Sequence, residues 1–348
     1  MAAPTGSTSF KVEGKSAIVT GAGSGINYCF AKLLLSRNCN VLIADLGLRP
    51  EAQKLVDEFD GKSGKPRAIF VKTNVTIWNE LENMFAQADK EFGGADIVTP
   101  GAGIFEPHWY QAHGQNPTPS ETFANPFALL ICRTNFWVPP GDPKSRDSPH
   151  GDKETGIGHY SIFDLNVTHP IRTSQLAISR WLNPPKDSKV GKASPTNPKR
   201  LVHISSIAGQ TPGFPFPLYI ASKHAISGFV RSLGPLDDSL GIRVNGVAPG
   251  VIKTPLWTDH PEKMLLFDES QDVWVTPEEV AEQMLRCCED NEIDGGYILE
   301  VLKGQYRKVD WQNSPGPDGV GATVSNRAEI TKEVFDWLAT PGWGVVQK

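Results

Sequence analysis

The stretch from Ala17 to Lys32, "AIVTGAGSGINYCFAK", changes character at its middle. It opens on a short apolar run of the kind buried in a parallel sheet and closes on helical spacing. Between the two, Gly21, Gly23 and Gly25 let the backbone turn sharply and present amides at a helix N-terminus with no Cβ in the way, a surface suited to a pyrophosphate. Position 26 is Ile26, so the order is not GxGxxG, and no GK[ST] follows, so it is not a P-loop. Taken alone, the turn is equally a plain strand-to-helix connection. Asp45, twenty residues beyond Gly25, changes that balance. It ends the next apolar run, where a carboxylate accepts hydrogen bonds from ribose hydroxyls and repels a 2′-phosphate. Ser24 and Leu46 carry no positive charge to welcome that phosphate, while Arg49 is close enough in sequence to reach in. The pair favours NAD and disfavours NADP.

Working outward, "SAIVTGA", "NVLIADL", "RAIFVKT", "ADIVTP", "RLVHISS", "IRVNGVA" and "GYILEV" read as seven strands buried on both faces. Helical patterns alternate with them, and "TPEEVAEQMLRCCED" opens on a Thr276 to Glu279 capping box with Pro277 in its first turn. The expected fold is α/β: a Rossmann-type, doubly wound, seven-stranded parallel sheet with helices on both faces, as a single domain over 12–302. Residues 104–160 part the fourth strand from its helix by far more chain than a connection needs, which marks an insertion. Residues 184–199, "PPKDSKVGKASPTNPK", read as a mobile polar loop. Residues 303–348 form a C-terminal extension whose "RAEITKEVFDWLA" has the spacing of a helix able to dock on the body or on a second subunit.

Composition narrows the function classes. Thirty-four basic residues against thirty-nine acidic ones, interspersed, give net charge −5 and no basic stripe, which argues against nucleic acid as a partner. Five cysteines without CxxC spacing and eight histidines without HxH or HExxH suggest neither a disulfide framework nor a metal site. No run approaches a membrane span and the N-terminus lacks an apolar signal core, so the expected location is cytoplasmic.

The chemistry concentrates in "LVHISSIAGQTPGFPFPLYIASKHAISGF", residues 201–229. Tyr219 and Lys223 are four apart and share a helix face, yet Tyr28 and Lys32 show the same interval, where a packed ring and a surface amine suffice. Tyr219 is set apart by Ser206 at the end of the preceding strand and by the small Ala221, Ser222, Ala225 and Gly228. A phenol titrates near ~10, so it is a base at neutral pH only where a cation stabilises its anion. The spacing predicts that Lys223 supplies that cation, that Ser206 holds the reacting oxygen, and that Tyr219 carries the proton.

On these residues the chain resembles the short-chain dehydrogenase/reductase family from about Val12 to Val301. "TGAGSGI" resembles the family's cofactor turn, "SSIAG…YIASK" its Ser-Tyr-Lys centre, and "RVNGVAPGVIKTP" its PG motif. The resemblance implies four catalytic residues, Ser206, Tyr219, Lys223 and Asn166, the last in "FDLNVTHP" holding a water that links Lys223 to solvent. It implies cofactor contacts from Gly21, Gly23, Ser24, Gly25, Ile26, Asp45, Asn74, Val75, Gly101, Ala102, Gly103, Tyr219, Lys223, Pro249, Gly250, Ile252 and Thr254, with Thr254 at the nicotinamide amide. The acidic strand end and overall pattern resemble NAD-dependent members of the hydroxyprostaglandin dehydrogenase type, including the fungal secondary-alcohol dehydrogenases of that type. Three positions depart from the family. Asn27 stands for its third glycine, "PGAG" at 100–103 for its NNAG, and Asn74 for its usual Asp, where the amide oxygen is expected to accept from the adenine amine.

"LWTDHPEKMLLFDESQDVWV" after Pro255 offers Leu256, Trp257, Leu265, Leu266, Phe267 and Trp274 as an apolar lining, with His108, Trp109 and Trp137 as candidates for its border. The substrate expected is a lipophilic or aromatic secondary alcohol or its ketone, and a homodimer is implied by the resemblance. An NADPH-dependent ketoreductase and a non-catalytic NAD-binding regulator are the alternatives. Residues 110–134 are either a lid or an accidental extension.

Overall fold

The structure, a computed structural model, describes residues 10–62, 64–106, 134, 136, 137, 140, 147, 148, 150–259, 268, 270, 272–310, 332, 335, 336 and 338–342. Seven strands run parallel: β1 (Ser16–Thr20), β2 (Asn40–Asp45), β3 (Ala68–Lys72), β4 (Ile97–Thr99), β5 (Lys199–Ile204), β6 (Ile242–Pro249) and β7 (Ile298–Leu302). Each coincides with one of the apolar runs of the sequence. An eighth, β8 (Gln305–Lys308), pairs antiparallel to β7, giving the order β3-β2-β1-β4-β5-β6-β7-β8. This strand lies past residue 302, in the segment expected as an extension. Its four residues are exposed and polar, and Arg307 grips Glu300 on β7 with two hydrogen bonds of 2.7 and 3.0 Å, so it closes the sheet edge with charge.

The period of two along the strands sorts side chains into two cores. Ala17, Val19, Val41, Ile43 and Val247 point to one face, covered by α1 (Gly25–Ser36), α2 (Pro50–Glu58) and α6 (Pro277–Glu289). Ile18, Leu42, Ala44 and Val244 point to the other, covered by α3 (Trp78–Phe92), α4 (His169–Leu182) and α5 (Pro217–Ser232). α6 starts with the expected capping box: Thr276 Oγ1 accepts from the Glu279 N–H at 3.2 Å and Glu279 accepts from the Thr276 N–H at 2.8 Å.

Residues 184–198 are tethered rather than loose. Lys189 N donates to Gly93 O at 2.9 Å, Ala193 N to Trp181 O at 2.8 Å, and Asn197 bridges Val190 O and Lys192 O. The fully buried Lys199 ammonium, on Asp96 at 2.7 Å and Val190 O at 2.7 Å, supplies the anchor that composition hides. In the C-terminal segment Leu338 is buried in the core on the α3, α4 and α5 side of the sheet and Gly342 N donates to Asn183 at 2.8 Å, so this end docks on the body. Residues 110–133 lie outside the described residues. The far side of the insertion is held by the buried Asp147, which accepts from Thr134 at 3.0 Å and from the Ser161 N–H at 3.1 Å.

Candidate active site

The strand order reverses between β1 and β4, and the loops leaving their carboxyl ends converge there. Gly21 takes φ +70°, and a Cβ on it would lie 2.7 Å from Ala102 Cα, so the turn needs glycine to approach the β4 tail. Ser24 is the N-cap of α1 but makes no side-chain cap bond, and the first turn of α1 carries no acidic residue. Amides at this helix start are left without a side-chain acceptor, which fits the diphosphate of a dinucleotide. Ile26 and Asn27 continue that first turn. Thr254, buried at the end of the PG loop that runs through Pro249, Gly250 and Ile252, packs within 3.5 Å of the Cβ position of Gly25, so the two loops meet.

Asp45 closes β2 beneath the turn. Its carboxylate accepts from Gly23 N at 2.8 Å and Leu46 N at 2.7 Å, with Gly47 N as a further donor. Burial raises its pKa and these amides oppose the rise. With three of about four acceptor sites in use, one remains for a ribose hydroxyl. Arg49, the nearby cation, is turned to Asp259 in an ion pair. Val75 is buried, and Asn74 departs from expectation. Its side-chain oxygen already accepts from Thr76 N at 3.1 Å and Thr76 Oγ1 at 2.8 Å, so the oxygen meant for an adenine amine has both lone pairs engaged. Asn74 keeps its Nδ2 donor for a ligand.

After β4, Gly101, Ala102 and Gly103 line the same cleft. A Cβ on Gly103 would come 3.0 Å from Asn166 Oδ1, and one on Gly101 would come 2.2 Å from Asn27 Oδ1. Ala102 N donates to Thr20 Oγ1 at 3.1 Å, and Thr20 stands 3.2 Å from His169 Nε2. His169 Nδ1 donates to Leu165 O at 3.1 Å, so Nε2 is the acceptor and Thr20 the donor. This chain ties β1, β4 and α4 together. No motif announced it, because a buried histidine in "NVTHP" reads as any other.

Tyr219 and Lys223 sit in the first half of α5, and Ser206 caps the short turn Ile207–Gly209 after β5, accepting from Ala208 N at 3.2 Å. Ser206 lies near the Tyr219 hydroxyl and lowers its pKa, while its own hydroxyl donates to Pro249 O at 3.5 Å; the Lys223 ammonium lies 5.4 Å from the centre of the tyrosine ring and donates to Ile204 O at 3.0 Å. The three residues are therefore together. The electrostatics run against the spacing argument: desolvation pushes the phenol up to about 12, with Ser206 pulling it down, and desolvation alone pushes the lysine down to about 8. A buried ammonium bonded to a carbonyl does not by itself hold a phenolate. Asn166 lies in a π-helical turn, Asp164–Thr168, ahead of α4, a widened turn often found at functional sites. Its amide exchanges two 2.9 Å hydrogen bonds with the Ile104 backbone and donates to Ser222 at 3.2 Å. It braces the β4 tail against α5 and makes no direct bond to Lys223 among the described residues.

A family model for short chain dehydrogenases matches residues 15–127 and 156–265, more than half of the chain and all the loops just described. The chain belongs to the short-chain dehydrogenase family. The unmatched 128–155 falls inside the segment expected as an insertion, while 104–127 is matched. As a member, it is an oxidoreductase of the kind that acts on an alcohol or its ketone. It is 28% identical over 247 residues to the hydroxynaphthalene reductase-like protein Arp2 of Metarhizium guizhouense, covering 70% of each chain. It is 24% identical over 312 residues to the NAD(+) 15-hydroxyprostaglandin dehydrogenase of Rattus norvegicus, covering 84% of this chain and 93% of that one. A short chain dehydrogenase of Mycobacterium avium superposes with a TM-score of 0.57 at 21% identity, covering 93% and 94% of the two chains, and shares its fold.

In this dehydrogenase the surroundings of Tyr219 are aromatic. Phe105 meets the tyrosine edge-on at 4.6 Å, Phe216 at 4.7 Å and Trp257 at 5.6 Å from Phe105, and Trp274 adjoins Trp257 at 5.9 Å. Trp137 lies against the exposed Phe214 at 4.7 Å, on the rim. His108, Trp109, Leu265, Leu266 and Phe267 lie outside the described residues. Phe105, Phe216 and Glu106 were missed in the sequence. The signal available was "GIFEPHWY", where one carboxylate interrupts an apolar run directly after the glycine-bearing β4 tail. Among the described residues no group of three His, Cys, Asp or Glu side chains is placed to hold a metal ion, and no helix is long and apolar enough to cross a membrane.

Proposed function

We propose that this chain interconverts a lipophilic, aromatic secondary alcohol and its ketone with NAD(H), Tyr219 moving the proton. The observation that carries the reading is the convergence of Ser206 and Lys223 on Tyr219 beside an uncapped helix start. A bound nicotinamide supplies the hydride acceptor or donor and, when oxidised, a positive ring. Everything else falls to the protein. Ser206 Oγ orients the substrate oxygen, and the Tyr219 hydroxyl gives a proton to it or takes one from it. Lys223, with one of its three donors on Ile204 O, has two left for ribose hydroxyls. Held at about 12, the phenol is protonated at neutral pH, which is the state that ketone reduction needs. Oxidation requires that proton to leave first, and added positive charge in the cleft favours its departure.

Asp45, with Arg49 committed to Asp259, supports NAD over NADP. The aromatic lining supports a flat, ring-containing substrate, in keeping with the name of the hydroxynaphthalene reductase-like relative. The protonated phenol and that same name favour, as a second reading, a ketoreductase running in the reductive direction. A homodimer is supported by the outer face of α5, where Ala221 and Ala225 are exposed and nothing stands within 4 Å of a Cβ on Gly228. The test is turnover of a panel of aromatic ketones and alcohols with each of NADH, NADPH, NAD+ and NADP+. Tyr219→Phe serves as control and is expected to lose ~10²–10⁴-fold in kcat with dinucleotide binding intact. Dinucleotide binding without turnover of any member of the panel would favour the regulator instead.

A further inference from the structure

Glu106 is fully buried, and among the described residues no cation pairs with it. One carboxylate oxygen accepts from Leu218 N at 2.9 Å and Tyr219 N at 3.0 Å; the other accepts from Phe136 N at 2.8 Å. The first contact solves a problem set by the sequence of α5. That helix begins at Pro217, which has no N–H, and Phe216 before it offers no side-chain cap. Ile220 N is satisfied by Phe216 O at 3.0 Å, so Leu218 and Tyr219 carry the first-turn amides still in need of an acceptor. Glu106 takes both from a distance of more than a hundred residues in sequence. A carboxylate there also meets the positive end of a sixteen-residue helix, which compensates its burial without a counter-ion.

We propose that Glu106 is a positioning residue for Tyr219, a clasp that fixes the backbone of the proton-carrying tyrosine and joins it to the far side of the 104–160 segment. Its neighbour Phe105 completes the grip by packing edge-on against the Tyr219 ring at 4.6 Å. One dipeptide thus holds the tyrosine at both backbone and ring. Through Phe136 N the same carboxylate ties in the rim residue Trp137, which is adjacent in sequence and meets the Phe136 ring edge-to-face at 5.0 Å. The aromatic mouth and the tyrosine are therefore set by one group, and the segment contributes to the geometry of the site.

This inference rests on Tyr219 being the acid/base residue, so Tyr219→Phe is measured alongside. Glu106→Gln is isosteric, but its amide nitrogen must oppose an N–H either at α5 or at Phe136, so it cannot serve both. Expected for Glu106→Gln are a kcat lower by about 10-fold or more, as small displacements of reacting groups produce, and KM for the dinucleotide essentially unchanged. Amide exchange, read by mass spectrometry, is expected to quicken in the peptides spanning 136 or 217–223 and not in those spanning β2. Glu106→Asp, which keeps the charge but retracts it by one methylene, is expected to fall between the two and serves if the glutamine variant does not fold. Wild-type kcat in either variant overturns the proposal. So does a loss of kcat with unchanged exchange at both peptides, because the defect is then not in the clasp. If Tyr219→Phe turns over at the wild-type rate, the acid/base assignment itself has failed.

Discussion

The side chain of Asn27 fills the space above Gly101: a Cβ on that glycine would lie 2.2 Å from Asn27 Oδ1 and 2.6 Å from its Cγ. The two family departures at these positions are thus one exchange. Asn27 on α1 supplies side-chain volume where Gly101 on the β4 tail has none, so the contact is filled. The arrangement has a defect, since Asn27 Oδ1 is buried with no hydrogen-bond partner among the described residues. Gly101→Ala alone is expected to cost about 1–3 kcal/mol by overpacking. Asn27→Gly should relieve it, so the double variant loses less than the sum of the singles. Chemical denaturation of the four proteins measures the coupling, and strictly additive losses would show that the two residues do not share this space.

Acid should destabilise the protein through two histidines. Burial lowers His169 to about 4 and His203 to about 3, from 6.5. Between those values and 6.5 the unfolded chain binds protons that the folded one does not, so stability is complete above 6.5 and falls as pH drops toward 4. Asp45, Asp89 and Glu106, all raised by burial, work in the opposite direction near the acid end of that window. The expected result is a melting temperature that declines from pH 7 to pH 5, with a shallower decline in His203→Gln. A flat wild-type profile over that range would contradict the assignment.

At α6 the expected titration runs in the same direction at lower pH. Glu279 accepts from Thr276 N and also from Lys303 Nζ at 2.9 Å and Gly304 N at 3.3 Å, so the capping residue fastens the β7–β8 turn as well. These donors, led by the Thr276 amide, bring its pKa down to about 2, from 4.5. Its contribution is present above 4.5 and lost as pH falls toward 2. Thr276→Ala should cost ~1 kcal/mol, and Glu279→Gln more, because it also loosens β8. Denaturant midpoints at pH 7 and pH 3 check both, the Glu279 difference shrinking at the lower pH.

The strands and capping box were legible because local pattern decides them: a β-branched run buried on both faces has no other use, and Thr276-Pro-Glu-Glu279 is a helix start by itself. β8 was not, since "QYRK" owes its strand to the edge of β7 and to the Arg307–Glu300 pair rather than to apolar content. The grouping of Ser206, Tyr219 and Lys223 was legible from spacing, but their protonation was not. Spacing reports that an ammonium is near a phenol, whereas the pKa depends on how much water both have lost, a property of the assembled core. Glu106 and His169 escaped for the same reason: each acts on backbone or hydroxyl groups far away in sequence, and one buried polar residue leaves no periodicity.

Asp45 braces the glycine turn and, under the proposed function, also selects the dinucleotide, and a single substitution can separate the two. Its carboxylate braces the glycine turn through Gly23 N and Leu46 N, and Gly23 is packed so closely that a Cβ would lie 2.8 Å from Asp45 Oδ2 and 2.3 Å from Gly47 O. Under the proposed function the same charge also rejects a 2′-phosphate. Asp45→Asn keeps the size, removes the charge and turns one acceptor into a donor facing an N–H. The melting temperature should fall, NADH binding should weaken by about 10-fold for the lost charge-assisted bond to ribose, and the NADPH to NADH ratio of dissociation constants should move toward one. Fluorescence titration with both dinucleotides reads the ratio directly. A variant that melts earlier yet keeps the wild-type preference would confine Asp45 to the brace and leave discrimination to another group at the end of β2.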